Sequence, residues 1–146
     1  MNSIREHILE AIVAALEPVA TAAGAVLARS PPTGITQEQS PALLVFPESD
    51  AITQRPNDRV ERHLIVRIVA VARATDTERP EVIADRLLVA AHLALFQTEN
   101  FGGLVLGLHE IECEWDVEDA DATAAAIPAR YQITYRTLVS DISQKG

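Results

Sequence analysis

Arg59-Val60-Glu61-Arg62-His63-Leu64-Ile65-Val66-Arg67-Ile68-Val69-Ala70-Val71-Ala72-Arg73 is the stretch on which the fold turns. It reads as one long strand, whose successive side chains point to opposite faces. Leu64, Val66, Ile68 and Ala70 then share one face. Ile65, Val69 and Val71 share the other, with Arg67 between them. An antiparallel strand with one wet face alternates apolar and polar residues more cleanly than this. Apolar side chains on both faces call for cover on both sides, either by a helix and a second sheet or by another subunit. Ile65, Arg67, Val69 and Val71 are therefore a candidate oligomer or partner surface.

Upstream, Ala42-Leu43-Leu44-Val45-Phe46 is a continuous apolar run and reads as a buried strand. Pro47 through Asn57 reads as a polar loop, and Ser30 through Pro41, rich in turn formers, as another. Val26-Leu27-Ala28-Arg29 has the look of a short strand. At the start, Ser3 followed by Glu6 is a capping-box pattern. Ile4, Ile8, Ile12, Ala15 and Val19 follow at helical spacing, which predicts a helix over about residues 3–17, ended by Pro18 or Gly24.

Downstream, Thr75 to Pro80 resembles a helix start. Val82, Ile83, Leu87, Ala90, Ala91, Ala94 and Leu95 give a second helix over about 79–96. Phe101-Gly102-Gly103 turns the chain. His109-Glu110-Ile111-Glu112-Cys113-Glu114-Trp115-Asp116-Val117-Glu118 then alternates strictly. As a strand it places Ile111, Cys113, Trp115 and Val117 on one face. Glu110, Glu112, Glu114, Asp116 and Glu118 fall on the other. Same-face neighbours lie roughly 6.5–7 Å apart and repel by about 0.6 kcal/mol per pair at the dielectric of water. Local folding does not require such a row: it is either a solvated face or a negative surface with a use. The turn region Asp119-Ala120-Asp121 leads to a last strand over about 128–139. There Tyr131, Ile133, Tyr135 and Thr137 face in, and Arg130, Gln132, Thr134 and Arg136 face out. In a hairpin of the last two strands, Arg130 and Arg136 would face the acidic row. The order α-β-β-β-α-β-β predicts an α+β domain, a mainly antiparallel sheet packed with two helices.

The 146 residues suit one domain, 1–146, with 48% hydrophobic and 23% charged residues. No apolar run approaches the roughly 18–20 residues of a membrane span. The polar start, Met1 to His7, does not resemble a signal peptide. The single Cys113 excludes an internal disulfide and a thiolate metal site, in keeping with a reducing cytoplasm. The net charge is −9, and residues 110–121 alone hold seven acids and no base. Gripping nucleic acid through its phosphates needs a basic patch, which this chain lacks. An acidic surface would instead let nucleic acid pass without sticking.

Nothing in the sequence assembles a catalytic site. Gly102-Gly103 has no Lys-Ser/Thr after it, so no phosphate-cradling loop is present. His7, His63, His92 and His109 show no paired ligand spacing and read as surface or boundary residues. Cys113, on the apolar face of its strand, reads as a structural thiol and not a nucleophile. The acids of 110–118 lack the central Gly of a calcium loop, and carboxylates along a straight strand do not converge on one ion. No cofactor and no metal are expected.

Several phrases resemble the phage tail terminator or tail-completion proteins, the minor tail protein U class. They are Ser40-Pro41-Ala42-Leu43-Leu44-Val45, Ala84-Asp85-Arg86-Leu87 with Ala91-His92-Leu93-Ala94-Leu95, and Gly102-Gly103-Leu104-Val105. The closing pattern is Trp115, Asp119 and Asp121, then Tyr131-Gln132-Ile133-Thr134-Tyr135-Arg136-Thr137. The element order belongs to the resemblance too, which spans most of the chain. It implies a small α+β protein that forms a ring, usually a hexamer, at the head-proximal end of the tail tube. The ring would stop tube growth and meet the head connector. Its partners would be further copies of itself, the tail tube protein and the head-connector protein. DNA would pass through without specific binding, and no membrane would be involved. Its place would be the host cytoplasm during assembly, then the tail or neck of the virion. The resemblance also gives the acidic row a use, as a lumen that repels DNA phosphates. Tail tube and head-connector proteins are close relatives of the same class. The rival readings are a small ligand- or metal-binding module of a bacterial cell and an enzyme with an unrecognised site.

Overall fold

The structure is a computed structural model that describes residues 1–30, 40–98, 101–114, 116–118 and 124–146. The elements run α1 (Ile4–Ala23), β1 (Val26–Arg29), β2 (Ala42–Gln54), β3 (Arg59–Arg73), α2 (Pro80–Gln97), β4 (Gly107–Cys113), β5 (Asp116–Glu118) and β6 (Ala124–Leu138). The fold is α+β. One six-stranded sheet has the order β1-β2-β3-β6-β4, and β5 also pairs with β6. The β1–β2 pair is parallel and every other pair is antiparallel.

The long strand is as the sequence predicts. β3 pairs with β6 without a break from Arg59 opposite Leu138 to Arg73 opposite Ala124. On one face Leu64, Val66, Ile68 and Ala70 are buried beneath the helices. Helix α1 delivers Ile8, Ile12 and Leu16 to that core, and α2 delivers Leu87, Ala91 and Leu95. Burying each of the larger side chains is worth about 1.5–3 kcal/mol, and this burial places both helices on one side of the sheet. On β6 the inward residues Tyr131, Ile133, Tyr135 and Thr137 are buried, and their alternates are half-buried. Among the described residues no helix or second sheet lies over the other face.

Helix α1 starts where expected. The Ser3 hydroxyl accepts the Glu6 N–H at 3.1 Å. The capping box is incomplete, because the Glu6 carboxylate reaches Arg29 Nη2 at 2.6 Å instead. The helix runs through Pro18 and ends at Gly24, whose φ of 65° is the left-handed conformation that glycine adopts without steric cost. Helix α2 begins with Pro80 in its first turn, where a missing N–H costs nothing.

The loop expected over residues 47–57 is a correction. β2 continues to Gln54 and pairs with β3 throughout, with register shifts between Pro47 and Ser49 and between Ile52 and Gln54. An extra residue at each shift breaks the period-2 pattern, so the segment does not look like a strand in one dimension. Only the turn at 55–58 joins the strands, with Asn57 at φ 60°. The loop over 31–39, Trp115 and the turn at 119–123 lie outside the described residues. The last residues fold back, with Ile4 N–H donating to Ile142 O at 2.9 Å and Gly146 N–H to Arg136 O at 3.2 Å.

Candidate assembly surfaces

The acidic segment is not one uninterrupted strand. Along β4, Glu110 lies opposite Tyr131, and the next register partner is Glu112 opposite Arg130. Ile111 is the extra residue of a bulge. Directly opposed residues in an antiparallel pair share a face. Glu110 therefore follows Tyr131 onto the helix-covered side, and Glu112 follows Arg130 onto the open side. The expected row of five carboxylates on one face is divided by this bulge. Glu110 Oε2 lies 3.9 Å from His92 Nδ1 of α2. Glu112 and Glu114 meet Arg130 Nη1 at 3.3 and 3.7 Å. Asp116 and Glu118 lie on β5, in register with Ala126 and Ala124. Cys113 falls opposite Ala129 on the helix side and is half-buried. Burial raises its pKa, and the negative charges of Glu110, Asp85 and Glu114 raise it further. That shift disfavours the thiolate, so Cys113 is no activated nucleophile.

Arg130 stands across from the acids, as the hairpin idea requires, and it also donates to Glu48 Oε1 at 2.8 Å. Three carboxylates surround it. Arg136 instead donates to Glu61 of β3 at 3.2 Å. The acidic edge is thus only partly neutralised.

The open face carries the second candidate surface. Val71 lies between Ala42 and Ala126, and Val69 between Leu44 and Pro128. Arg67 lies between Phe46 and Arg130, and Ile65 between Ser49 and Gln132. Ala42, Leu44 and Val69 form a small buried cluster, and Val26, Ala28, Phe46 and Val71 pack against it half-buried. The Arg67 guanidinium sits 4.7 Å from the Phe46 ring centroid, a cation–π contact. Its Nε is buried with no hydrogen-bond partner among the described residues. The sheet therefore grades from apolar at the β1 end to polar past Ile65.

Two further groups escaped the sequence reading. At one end of the helix–sheet interface, Asp50 Oδ2 accepts from Arg5 Nη1 at 2.8 Å and from the Tyr135 hydroxyl, with Arg62 Nη1 at 3.7 Å. The Asp50 side chain is only 9% exposed, and its Oδ1 has no hydrogen-bond partner among the described residues. Asp50 falls in the segment expected to be loop, so no pattern marked it as inward. Halfway along α2, His92 Nδ1 pairs with the Tyr131 hydroxyl at 2.8 Å, and the imidazole stacks on Phe96 at 4.7 Å between centroids. Burial raises the pKa of both tyrosines. Among the described residues no three His, Cys, Asp or Glu side chains are grouped to hold a metal ion.

No family model matches the chain, and no curated protein matches it. Among solved structures, a chain described as "Virion of native gene transfer agent (GTA) particle" is similar in fold. The TM-score is 0.54 at 12% sequence identity, over 92% of this chain and 92% of that one. At this identity the likeness is one of fold. Among the described residues no helix is long and apolar enough to cross a membrane.

Proposed function

We propose that this chain is a structural protein of a phage-like particle, a tail terminator or neck component that caps the tail tube as a hexameric ring and forms the surface that joins tail to head. The observation that carries the reading is the second sheet face, on which no helix packs among the described residues and where Val26, Phe46 and Val71 stay half-buried around the buried Ala42, Leu44 and Val69. A face of this kind serves a protein that completes itself on assembly. The fold shared with a chain of a gene transfer agent virion, across nearly the full length of both, supports it. In this reading Ile65, Arg67, Val69 and Val71 meet a neighbour in the particle. Glu112 and Glu114 present negative charge toward the DNA path. Glu110 leaves that row for the helix side. The role is one of contact and shape, with no catalysis.

Replacing Glu112 and Glu114 by Lys tests the acidic surface. Both side chains are about half exposed, at 47% and 55%, and Arg130 keeps Glu48, so the chain still folds. A ring multiplies the change and turns repelling positions into sites that attract phosphate. Particles carrying the double variant are expected to have normal tails and to eject DNA poorly, with the defect easing at high salt. DNA release from purified particles is the readout. Wild-type release at low salt would leave the acids as a solvated edge only.

A further inference from the structure

Beside the edge strand β4, the outer face of α2 combines apolar surface with the carboxylates of Asp85 and Glu110. Val89 and Leu93 are 52% and 54% exposed. They border a cavity of about 310 Å³ that Asp85, His92, Glu110 and Cys113 also line. Asp85 has no hydrogen bond or ion pair among the described residues, and Glu110 has only His92 at 3.9 Å. The turn between β2 and β3 carries two arginines against one acid, the exposed Asp58. Arg55 and Arg59 are exposed there with no carboxylate partner among the described residues, and Ile52 beside them is 42% exposed.

We propose that the β2–β3 tip of one copy of this chain docks on the α2–β4 face of the next, with Arg55 and Arg59 against Asp85 and Glu110 and Ile52 against Val89 and Leu93. The two patches are complementary in charge: Asp85 has no cation partner in its own chain among the described residues, and Arg55 and Arg59 have no carboxylate partner there. The two patches differ and lie on different parts of the molecule, so the contact is head-to-tail. Such a contact closes into a ring when its rotation closes. The inference rests on the ring reading above and names the contact that would build it. The bulge at Ile111 has a part in this arrangement, because it turns Glu110 toward α2 and away from Glu112.

Charge exchange tests the contact. Sedimentation velocity of the full chain at high concentration and low salt compares wild type, Arg55→Glu/Arg59→Glu, Asp85→Arg/Glu110→Arg, and all four changes together. Each pair alone is expected to weaken self-association roughly tenfold or more, and the four together to restore it. A second readout uses the only cysteine of the chain. Oxidised Gln54→Cys should give a disulfide between positions 54 and 113 of neighbouring copies, identified in the cross-linked peptides. Rings that form normally in both charge-reversed pairs, with no 54–113 link, would overturn this contact and leave the ring reading standing. Reversal that weakens binding to tail tubes but not self-association would assign the patches to another protein and overturn it also. A wild-type chain that neither self-associates nor binds tube ends would overturn both.

Discussion

Asp50 is the residue on which one end of the molecule depends. Arg5 from α1, Arg62 from β3 and Tyr135 from β6 converge on a single carboxylate. Removing one partner of a buried charge group leaves the others desolvated without compensation. Asp50→Ala is expected to cost about 3 kcal/mol, read from urea denaturation. A loss within experimental error would mean the arginines find other partners. Tyr131 gives a second test, with a pH signature. Burial raises its phenol pKa above the ordinary 10.0. The neutral phenol's contribution is therefore complete below pH 10 and is lost as pH rises through the raised folded value. Tyr131→Phe forfeits the hydrogen bond to His92, about 1 kcal/mol at pH 8, but has no phenol to ionise. Its deficit against wild type should shrink above pH 10, and urea midpoints at pH 8 and 11 check this. A constant deficit would contradict the buried phenol. The inward set Tyr131, Ile133, Tyr135 and Thr137 was legible from alternation alone. Asp50 was not, because the shift between Pro47 and Ser49 puts it out of phase with the apolar run before it.

At the scale of elements, regular periodicity was readable and broken periodicity was not. β1 and β3 lie where the sequence puts them, and both helices are recognisable from their apolar stripes. Of the two ends the sequence offered for α1, the helix takes Gly24: it continues past Pro18 with Leu16 and Ala20 buried on either side, so packing outweighs the local signal. β2 extends through two register shifts, and the acidic segment divides at a third. A bulge is defined against a partner strand, and one strand's sequence does not show the partner. The end of α1 offers a measurement free of packing effects. A Cβ built at Gly24 meets nothing within 4 Å, so the cost of Gly24→Ala is that of the left-handed backbone alone. About 1–2 kcal/mol of lost stability is expected in thermal or urea unfolding. An unchanged stability would show that the C-terminal turn of α1 readily takes another conformation.

For the whole molecule, the α+β class followed from the order of elements along the chain, and the two apolar faces of β3 called for cover on both sides. Which layer covers the second face did not follow, since a partner subunit and a second sheet leave the same pattern on β3. Among the described residues both helices pack on one side, and on the other Val26, Phe46 and Val71 stay half-buried around the buried Ala42, Leu44 and Val69. Purified protein mixed with tail tubes at high concentration, viewed by electron microscopy, with light scattering for mass, is the most direct test of the proposed ring. The account predicts ring-shaped oligomers at one end of the tubes and tubes that stop growing. A protein that stays monomeric and never binds tube ends would contradict it.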